Sequence, residues 1–303
     1  MASPTAARTF EAGEPAKPVL HELVDKLGEI EAIDAPANAV ADRVQAALKP
    51  GLVKDLLSGT PVGHAMHPIL TDLATGTWLS SLFLDLFGGR GARKASDRLI
   101  AAGIAATGPI IVTGMSDWSD TAGAERRIGA VHAVINTTTL GLYAASLAAR
   151  KRGRRGLGLL ISLGGAGTLT VGAHLGGHLS YARGVGVDET TFERPPEDWT
   201  PTLREEELAE ATPTLATVGG FGVVLVRRGE RVYALSDRCS HRGGPLHQGT
   251  LVDGCIECPW HGSRFRLEDG AVERGPATGP EIAYDVRLRE GMVEVRPHRG
   301  SPS

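Results

Sequence analysis

Four long stretches with few charged residues occupy much of the first two thirds of the chain and constrain its fold most strongly. They are residues 65–87, 99–115, 128–149 and 156–182. They are 17 to 27 residues long, and an α-helix needs about 17–25 residues, or more when tilted, to cross the hydrocarbon core of a bilayer. They are rich in Gly, Ala and Thr, which allows close packing of helices in lipid. The pattern predicts a four-helix transmembrane domain over residues 61–187. A soluble, glycine-rich helical bundle is the alternative.

The segment before these stretches is more polar. Residues 1–20 are rich in Pro and Ala, which predicts a disordered tail. In residues 21–60, apolar residues recur at helical spacing with charges between them, and Pro36 separates two such runs. This pattern predicts two short amphipathic helices that pack on the following domain. A role at the membrane surface is the weaker interpretation, because their polar faces are acidic.

The charges in the predicted loops indicate how the bundle is oriented. Residues 88–98 and 150–156 are basic, whereas residues 116–127 are acidic on balance. Basic loops remain in the cytoplasm, so both termini are expected on the extracytoplasmic face. The net charge of the whole chain is only −3, which does not predict a surface for nucleic acid.

Several histidines and one aspartate lie near the ends of the predicted transmembrane helices. Antiparallel threading places them all at one face of the bundle, the face from which the C-terminal segment emerges. Ionisable groups in a membrane are costly and often mark functional sites. The group could therefore bind haem b, another metal or a quinone. Alternatively, these are interfacial side chains bonded to loop carbonyls. The candidates are His67, His132, His174, His178 and Asp117.

The three cysteines of the chain lie in one short segment with two closely spaced histidines. Cys239 and His241 form a Cys-x-His pair, and Cys258 and His261 form a Cys-x-x-His pair. Two thiolates and two imidazoles from two loops suit a [2Fe–2S] centre with one iron held by cysteines and the other by histidines. A zinc site is the alternative, but the one-residue Cys-x-His spacing fits it poorly. Cys255 is interpreted as a buried, unreactive thiol of a strand.

The C-terminal third has a different periodicity from the rest of the chain. Residues 188–202 are acidic and contain Pro195-Pro196, as is typical of a linker. Residues 203–298 contain short runs rich in Val and aromatic residues, separated by Gly, Asp and Pro. Such runs predict a small all-β sandwich or barrel. The predicted fold class is therefore a multidomain α plus all-β chain, in which a four-helix transmembrane bundle precedes a β domain.

The Cys/His segment resembles a known family. Its two half-sites, the GGPL sequence at residues 243–246 and the Gly275-Pro276 pair resemble the Rieske [2Fe–2S] family, over about residues 203–297. The resemblance implies a Rieske-type β sandwich or barrel. It also implies that the two cysteines of the half-sites ligate one iron and the two histidines the other.

The sequence departs from the respiratory-chain branch of that family at three positions. Gly244 and Trp260 stand where that branch carries a disulfide-bonded pair of cysteines, and Phe265 replaces a tyrosine that donates a hydrogen bond to the cluster. Ser263 matches the serine that donates to a cluster sulfide. Loss of a donor destabilises the reduced state. The resemblance therefore implies a potential below that of the quinol-oxidising branch and nearer to that of ferredoxin-type members.

The helical part resembles a second family. Gly63-His64, His67-Pro68, Asp117-Trp118 and the sequence GGHLSYARGVGV at residues 176–187 are similar to motifs in predicted four-helix bacterial membrane proteins of unknown function. The resemblance covers about residues 50–188. It implies a multi-pass protein of the bacterial inner membrane and adds no chemistry.

These features predict an electron-transfer protein rather than a stand-alone enzyme. A membrane-anchored [2Fe–2S] cluster would exchange electrons with a membrane-side partner, which could be a haem, a quinone or a partner enzyme. Electron donor and acceptor proteins, or a quinone, are the expected partners. One alternative is a subunit of a quinol or quinone oxidoreductase. The other is a redox-sensing module attached to a membrane scaffold.

Overall fold

The computed structural model describes residues 18–299, which form seven α-helices followed by ten β-strands. The predicted disordered tail, residues 1–20, falls almost entirely outside the described residues. The helices are α1 (Val19–Gly28), α2 (Asp34–Ala47), α3 (Leu52–Ser58), α4 (Met66–Phe87), α5 (Arg93–Ser119), α6 (Gly123–Lys151) and α7 (Arg155–Tyr181).

The four long helices α4 to α7 coincide with the four stretches of low charge. Helix α4 packs against α5, and α6 packs against α7, so the bundle consists of two helical hairpins. By length and composition, two of the described helices, α5 and α7, are apolar enough to cross a membrane. Helix α6 is less apolar because it begins with charged residues and carries a polar run at residues 136–139. The helical fold is thus confirmed, whereas four membrane spans are not shown by composition alone.

Aromatic rings fill the middle of the bundle. The rings of Trp78 in α4 and Tyr143 in α6 stack with centroids 4.3 Å apart. A Cβ atom on Gly103 would lie 2.3 Å from the Trp78 ring, and one on Gly165 would lie 3.0 Å from the Tyr143 ring. These glycines therefore allow the helices to approach each other around the two rings.

A buried network of charges joins the four long helices at the end away from the β domain. The Arg150 guanidinium on α6 is fully buried and donates to both carboxylate oxygens of Asp85 on α4. It also donates to Ser96 on α5 and to Ser162 on α7. The sequence interpretation counted Arg150 as a basic loop residue. It is instead a helix residue that fixes this end of the bundle.

Three short helices precede the bundle. Helix α1 packs on α6 through Val24 and Ile128, and α2 packs on α5 and α6. In α3 the usual pattern is reversed, because Lys54 is buried while Leu52 and Leu56 are more than half exposed. The buried polar face of α3 is turned toward the interior of the protein.

The β domain consists of two antiparallel sheets. The six-stranded sheet has the order β1-β10-β9-β4-β3-β2, and the four-stranded sheet has the order β5-β6-β7-β8. The strands are β1 (Thr200–Arg204), β2 (Thr214–Val218), β3 (Phe221–Arg228), β4 (Arg231–Ser236), β5 (Thr250–Val252), β6 (Cys255–Glu257), β7 (Arg264–Arg266), β8 (Val272–Arg274), β9 (Ala283–Arg289) and β10 (Met292–Pro297). Fully buried Leu235, Ile256 and Phe265 form part of the core between the sheets. The prediction of a small all-β domain is confirmed.

Candidate metal centre

Two loops of the β domain bring the four predicted ligands together. The loop between β4 and β5 carries Cys239 and His241, and the loop between β6 and β7 carries Cys258 and His261. The rings of the two histidines lie with centroids 5.0 Å apart. The two thiols are buried and hydrogen-bonded to each other. The structure therefore places both half-sites of the sequence motif in one site.

The two ligand loops have the same backbone hydrogen-bond pattern. The amide N of Cys239 donates to Gly244 O (2.9 Å), and Gly243 N donates to Cys239 O (2.7 Å). In the second loop, Cys258 N donates to Ser263 O (2.8 Å), and Gly262 N donates to Cys258 O (3.1 Å).

In each loop a glycine four residues after the cysteine has positive φ, +71° at Gly243 and +75° at Gly262. Glycine adopts this conformation with little strain, so these two residues permit the matching turns.

Three of the four donor groups have pKa shifts that favour metal binding, whereas the pKa of the Cys239 thiol, which donates a hydrogen bond to Cys258, is raised well above its usual range. Burial lowers the pKa of His241 well below its usual range and also lowers that of His261, so both imidazoles are neutral. The pKa of Cys258 is lowered to about 7, mainly by the hydrogen bond from the Cys239 thiol. The amides of Trp260 and His261 act in the same direction. The Cys258 sulfur is thus placed to be a thiolate, the form that ligates metals.

The residues around the four donors are compatible with a small inorganic group. A Cβ atom on Gly244 would lie 2.8 Å from the Cys258 Sγ, so this wall of the site has no space for a side chain. The buried Ser263 Oγ accepts a hydrogen bond from Ala277 N (2.9 Å), which leaves its own proton free to donate. The exposed Trp260 ring packs edge-on beside His261. Two thiols, two neutral imidazoles and a hydroxyl donor fit a [2Fe–2S] cluster.

The helical part of the chain closes one side of this site. The Nε2 atom of His241 lies 3.8 Å from Asp120 Oδ2, in the turn between α5 and α6. The same oxygen lies 2.7 Å from Nζ of Lys54, which belongs to α3. All three side chains are largely buried. The reversed pattern of α3 is explained by this contact, because its buried lysine neutralises the buried aspartate.

Two further hydrogen bonds attach the helical part to the loop at residues 275–277, which also contacts Ser263. Gly275 N donates to Asp55 Oδ1 (3.0 Å), and Thr60 Oγ1 donates to Ala277 O (3.0 Å). Sequence reasoning missed Lys54 as part of this interface. Nothing in the local sequence marks it, because the contact joins residues far apart in the chain.

A buried carboxyl group lies directly behind the first ligand loop. Glu281 is fully buried, and its Oε1 accepts a hydrogen bond from Ser240 N (2.7 Å), between two of the candidate ligands. Its Oε2 has no hydrogen-bond partner within residues 18–299. Burial raises the pKa of Glu281 well above its usual range. Sequence analysis did not single out this residue.

We expect the β domain of the Glu281→Gln variant to be more stable than that of the wild-type chain, by a margin that grows as the pH rises. A carboxyl group whose folded-state pKa is raised contributes stability that is fully present below its unfolded-state pKa and is lost as the pH rises through the folded-state pKa. Glutamine keeps an oxygen for Ser240 and cannot ionise. The midpoint temperature of cluster bleaching should exceed that of the wild-type chain by several degrees at about pH 8 and by much less at about pH 5. The exposed Glu273→Gln serves as the control and should show no such pH dependence.

The structure divides the predicted group of histidines in the helical part. His67, His132 and Asp117 line a cavity of about 2130 Å³, between the α4–α5 and α6–α7 hairpins. The cavity extends to the β domain. His174 is exposed and does not line it. His178 instead lies beside His21 and Asp25 of α1. The five residues thus do not form one site.

Comparison with known proteins agrees with both parts of the fold. Residues 198–293 match the family model described as the Rieske [2Fe–2S] domain, and residues 63–189 match that of a predicted membrane protein family, DUF2231. The anthranilate 1,2-dioxygenase ferredoxin subunit of Burkholderia cepacia is 34% identical over 98 residues, which are 32% of this chain and 91% of that protein. Ferredoxin CarAc of Metapseudomonas resinovorans is 37% identical over 78 residues, 26% of this chain and 73% of that protein.

A solved structure is also similar. The ferredoxin of carbazole 1,9a-dioxygenase from Nocardioides aromaticivorans IC177 shares 34% identity, with a TM-score of 0.32, over 33% of this chain and 98% of that one. The two family matches and the ferredoxin relatives confirm both resemblances seen in the sequence, and the cofactor that the Rieske domain implies is a [2Fe–2S] cluster. The chain belongs to the Rieske [2Fe–2S] family, with a ferredoxin-type electron-transfer domain that follows a DUF2231 predicted membrane protein domain.

Proposed function

We propose that the chain is a membrane-anchored electron-transfer protein, in which Cys239 and Cys258 ligate one iron of the cluster and His241 and His261 the other. The convergence of four buried or half-buried donors on two matching loops supports this ligand set. When bound, the cluster takes up and releases one electron. The loops supply thiolate and neutral imidazole, and Ser263 offers a hydrogen bond to the side of the reduced cluster.

The helical domain is proposed to anchor the chain as four membrane-spanning helices. Large apolar side chains on all four long helices face outward, among them Phe83, Ile111, Val134 and Leu160, with exposed fractions of 61%, 50%, 66% and 67%. A soluble bundle would expose fewer such side chains. The basic loops at the far end of the bundle favour an extracytoplasmic β domain in the bacterial inner membrane.

The observation that carries the proposal is the contact between the cluster site and the bundle. The His241 side chain is only 15% exposed and faces Asp120 at the end of α5. This contact supports a cluster position at the end of the helical domain, where a partner at the proposed membrane face could reach it. One of the ferredoxin relatives is a subunit of anthranilate 1,2-dioxygenase. The electron partner of this chain is proposed to be an oxidoreductase or oxygenase at the membrane.

A second candidate function is that of a quinol oxidoreductase subunit, and the cavity between the helical hairpins favours it. Nδ1 of His67 lies 3.0 Å from the carbonyl O of Ile110, so its Nε2 is the lone-pair acceptor. Together with Asp72 and Asp117, this acceptor suits a hydroxyl-bearing ring, and the apolar remainder of the cavity suits its tail. One quinol would release two protons and reduce the clusters of two chains by one electron each.

A haem between His67 and His132 is less consistent with the side chains. Nε2 of His132 accepts a hydrogen bond from Asn136 Nδ2 (2.9 Å), and its Nδ1 lies 3.0 Å from Gly172 O. Both nitrogens of this ring are therefore already bonded, so the two histidines do not offer a pair of free ligand atoms.

Electron paramagnetic resonance of cell fractions tests the proposed function. The signal of the reduced cluster should sediment with membranes from cells that express the full chain and should remain there after a carbonate wash. A signal in the supernatant would contradict anchoring, and no signal in any fraction would contradict the cluster.

In a second experiment, which tests the quinol function, a short-chain quinol is added to solubilised protein. The quinol should reduce the cluster of the His67→Leu variant more slowly than that of the control variant His174→Leu. Equal rates of cluster reduction in the two variants would reject the quinol function.

A further inference from the structure

We propose that Lys54 and Asp120 belong to the cluster site and set its reduction potential from across the domain boundary. Asp120 is then a positioning residue for His241. The proposal rests on the ligand assignment given above, because it requires His241 to hold the outer iron. Both residues lie in the helical domain, outside residues 198–293 that match the Rieske domain.

The side chains of Lys54, Asp120 and His241 lie in a row and are largely buried. Oδ2 of Asp120 lies 2.7 Å from Lys54 Nζ and 3.8 Å from His241 Nε2. The side chains of Asp120 and Lys54 are 5% and 4% exposed. Solvent therefore screens these charges weakly, and their effect on a neighbouring redox centre is larger than that of surface charges.

The pair is held in place by the surrounding backbone. Lys54 Nζ donates to Ser116 O (2.9 Å), at the C-terminal end of α5. The amide of Asp120 donates to Asp117 O (3.2 Å) in the same turn. The hydrogen bonds from Thr60 and to Asp55 fix the segment around α3 against the β domain. The distance from Asp120 to His241 is thus set by packing rather than by a flexible surface pair.

The other nearby cations are engaged elsewhere. Arg126 donates to Asn38 Oδ1 (2.8 Å) and to Thr121 O. Arg242 donates to Gly184 O (3.3 Å). Lys54 is therefore the cation that directly compensates Asp120.

The two charges should act on the cluster in opposite directions. Reduction adds a negative charge to the site, which the Asp120 carboxylate opposes and the Lys54 ammonium favours. Removing the carboxylate should therefore raise the potential, and removing the ammonium should lower it. Simple loosening of the domain contact would expose the cluster to water and shift both variants in the same direction.

Redox titration of the full chain in detergent, followed by electron paramagnetic resonance at one pH, tests the proposal. At the wild-type midpoint, Asp120→Asn should raise the ratio of reduced to oxidised cluster on the order of tenfold, which is 59 mV for one electron. Lys54→Met should lower the ratio by a similar factor. Lys54→Arg should restore the wild-type value, and it keeps the test valid if Lys54→Met does not fold.

Two control variants separate charge from packing. Thr60→Val removes an interdomain hydrogen bond without changing a charge, and Asp34→Asn removes half of the Asp34–Arg127 ion pair of the helical domain. Both should keep the wild-type potential. Shifts of equal sign in Asp120→Asn and Lys54→Met, an equal shift in Thr60→Val, or no shift would overturn the proposal. A cluster absent from the wild-type chain would instead refute the proposed function.

Discussion

Cys258→Ala should abolish the cluster, which is the largest effect expected of any single substitution in the β domain. Cys258 is 3% exposed, and its sulfur accepts a hydrogen bond from the Cys239 thiol. The amides that follow it also stabilise the thiolate. Alanine removes one of the two proposed ligands of the inner iron. Iron content and visible absorption should fall to background in the purified full-length variant.

Cys255→Ala is the matched control for this prediction. Cys255 lies three residues away in β6, and it lines a separate cavity with Arg264 and Arg266. Cys255 belongs to a strand and not to either ligand loop, so the variant should keep its iron and its spectrum. Full iron content in Cys258→Ala, or loss of iron in Cys255→Ala, would show that the ligand assignment is wrong.

Arg150→Leu should cause the largest loss of stability in the helical domain. The substitution removes the two short hydrogen bonds of Arg150 from the buried Asp85 carboxylate, which keeps the longer contact to Arg155 (3.3 Å). Removing one member of a buried ion pair costs about 3–5 kcal/mol. It also removes the donor to Ser96 and Ser162 that joins three of the helices. Thermal denaturation of the detergent-solubilised chain should show a clearly lower midpoint than that of the wild type.

The neighbouring Arg152→Leu is the control, because Arg152 is exposed at the end of α6. It should denature at the wild-type temperature. The double variant Arg150→Leu with Asp85→Leu should recover part of the loss, since no unpaired charge remains buried. Equal midpoints for the two arginine variants would show that the network does not hold the bundle together.

The convergence of the two Cys/His half-sites could be predicted from the sequence because its information is local. Each half-site lies within a few residues of one loop, and the Cys239–His241 and Cys258–His261 spacings are distinctive. The fold of the β domain was predictable for a similar reason, since alternating apolar residues and regular turns are properties of single strands. The positions of Gly243 and Gly262 in matching turns explain why short motifs were sufficient.

The domain contact could not be predicted, because it depends on pairs distant in sequence. In the sequence, Lys54 is one more charged residue of an amphipathic helix. Its burial against Asp120, seen in the structure, reveals its role. The structure separates the predicted group of histidines for a different reason. Antiparallel threading placed His178 at the same end as His67, but helix rotation directs it toward α1 instead of the cavity. Rotation about the helix axis depends on packing, which a charge pattern does not specify.

Some of the basic residues that indicate the orientation of the bundle have partners that the sequence does not reveal. Arg150 and Arg155 contributed to the basic loop, yet both bond to carboxylates of α4 and α5. Lys151, Arg152 and Arg154 remain outside that network and keep this end of the bundle basic. The predicted sidedness therefore rests on fewer free charges than the sequence alone indicated.

Nitrogen couplings of the reduced cluster in the full chain test the central account most directly. Pulsed electron paramagnetic resonance of the detergent-solubilised protein should detect two histidine nitrogens bound to one iron, those of His241 and His261. His261→Cys should leave only one coupled nitrogen wherever the variant retains a cluster. A wild-type spectrum with no directly bound nitrogen would contradict the mixed ligand set on which the proposed function depends.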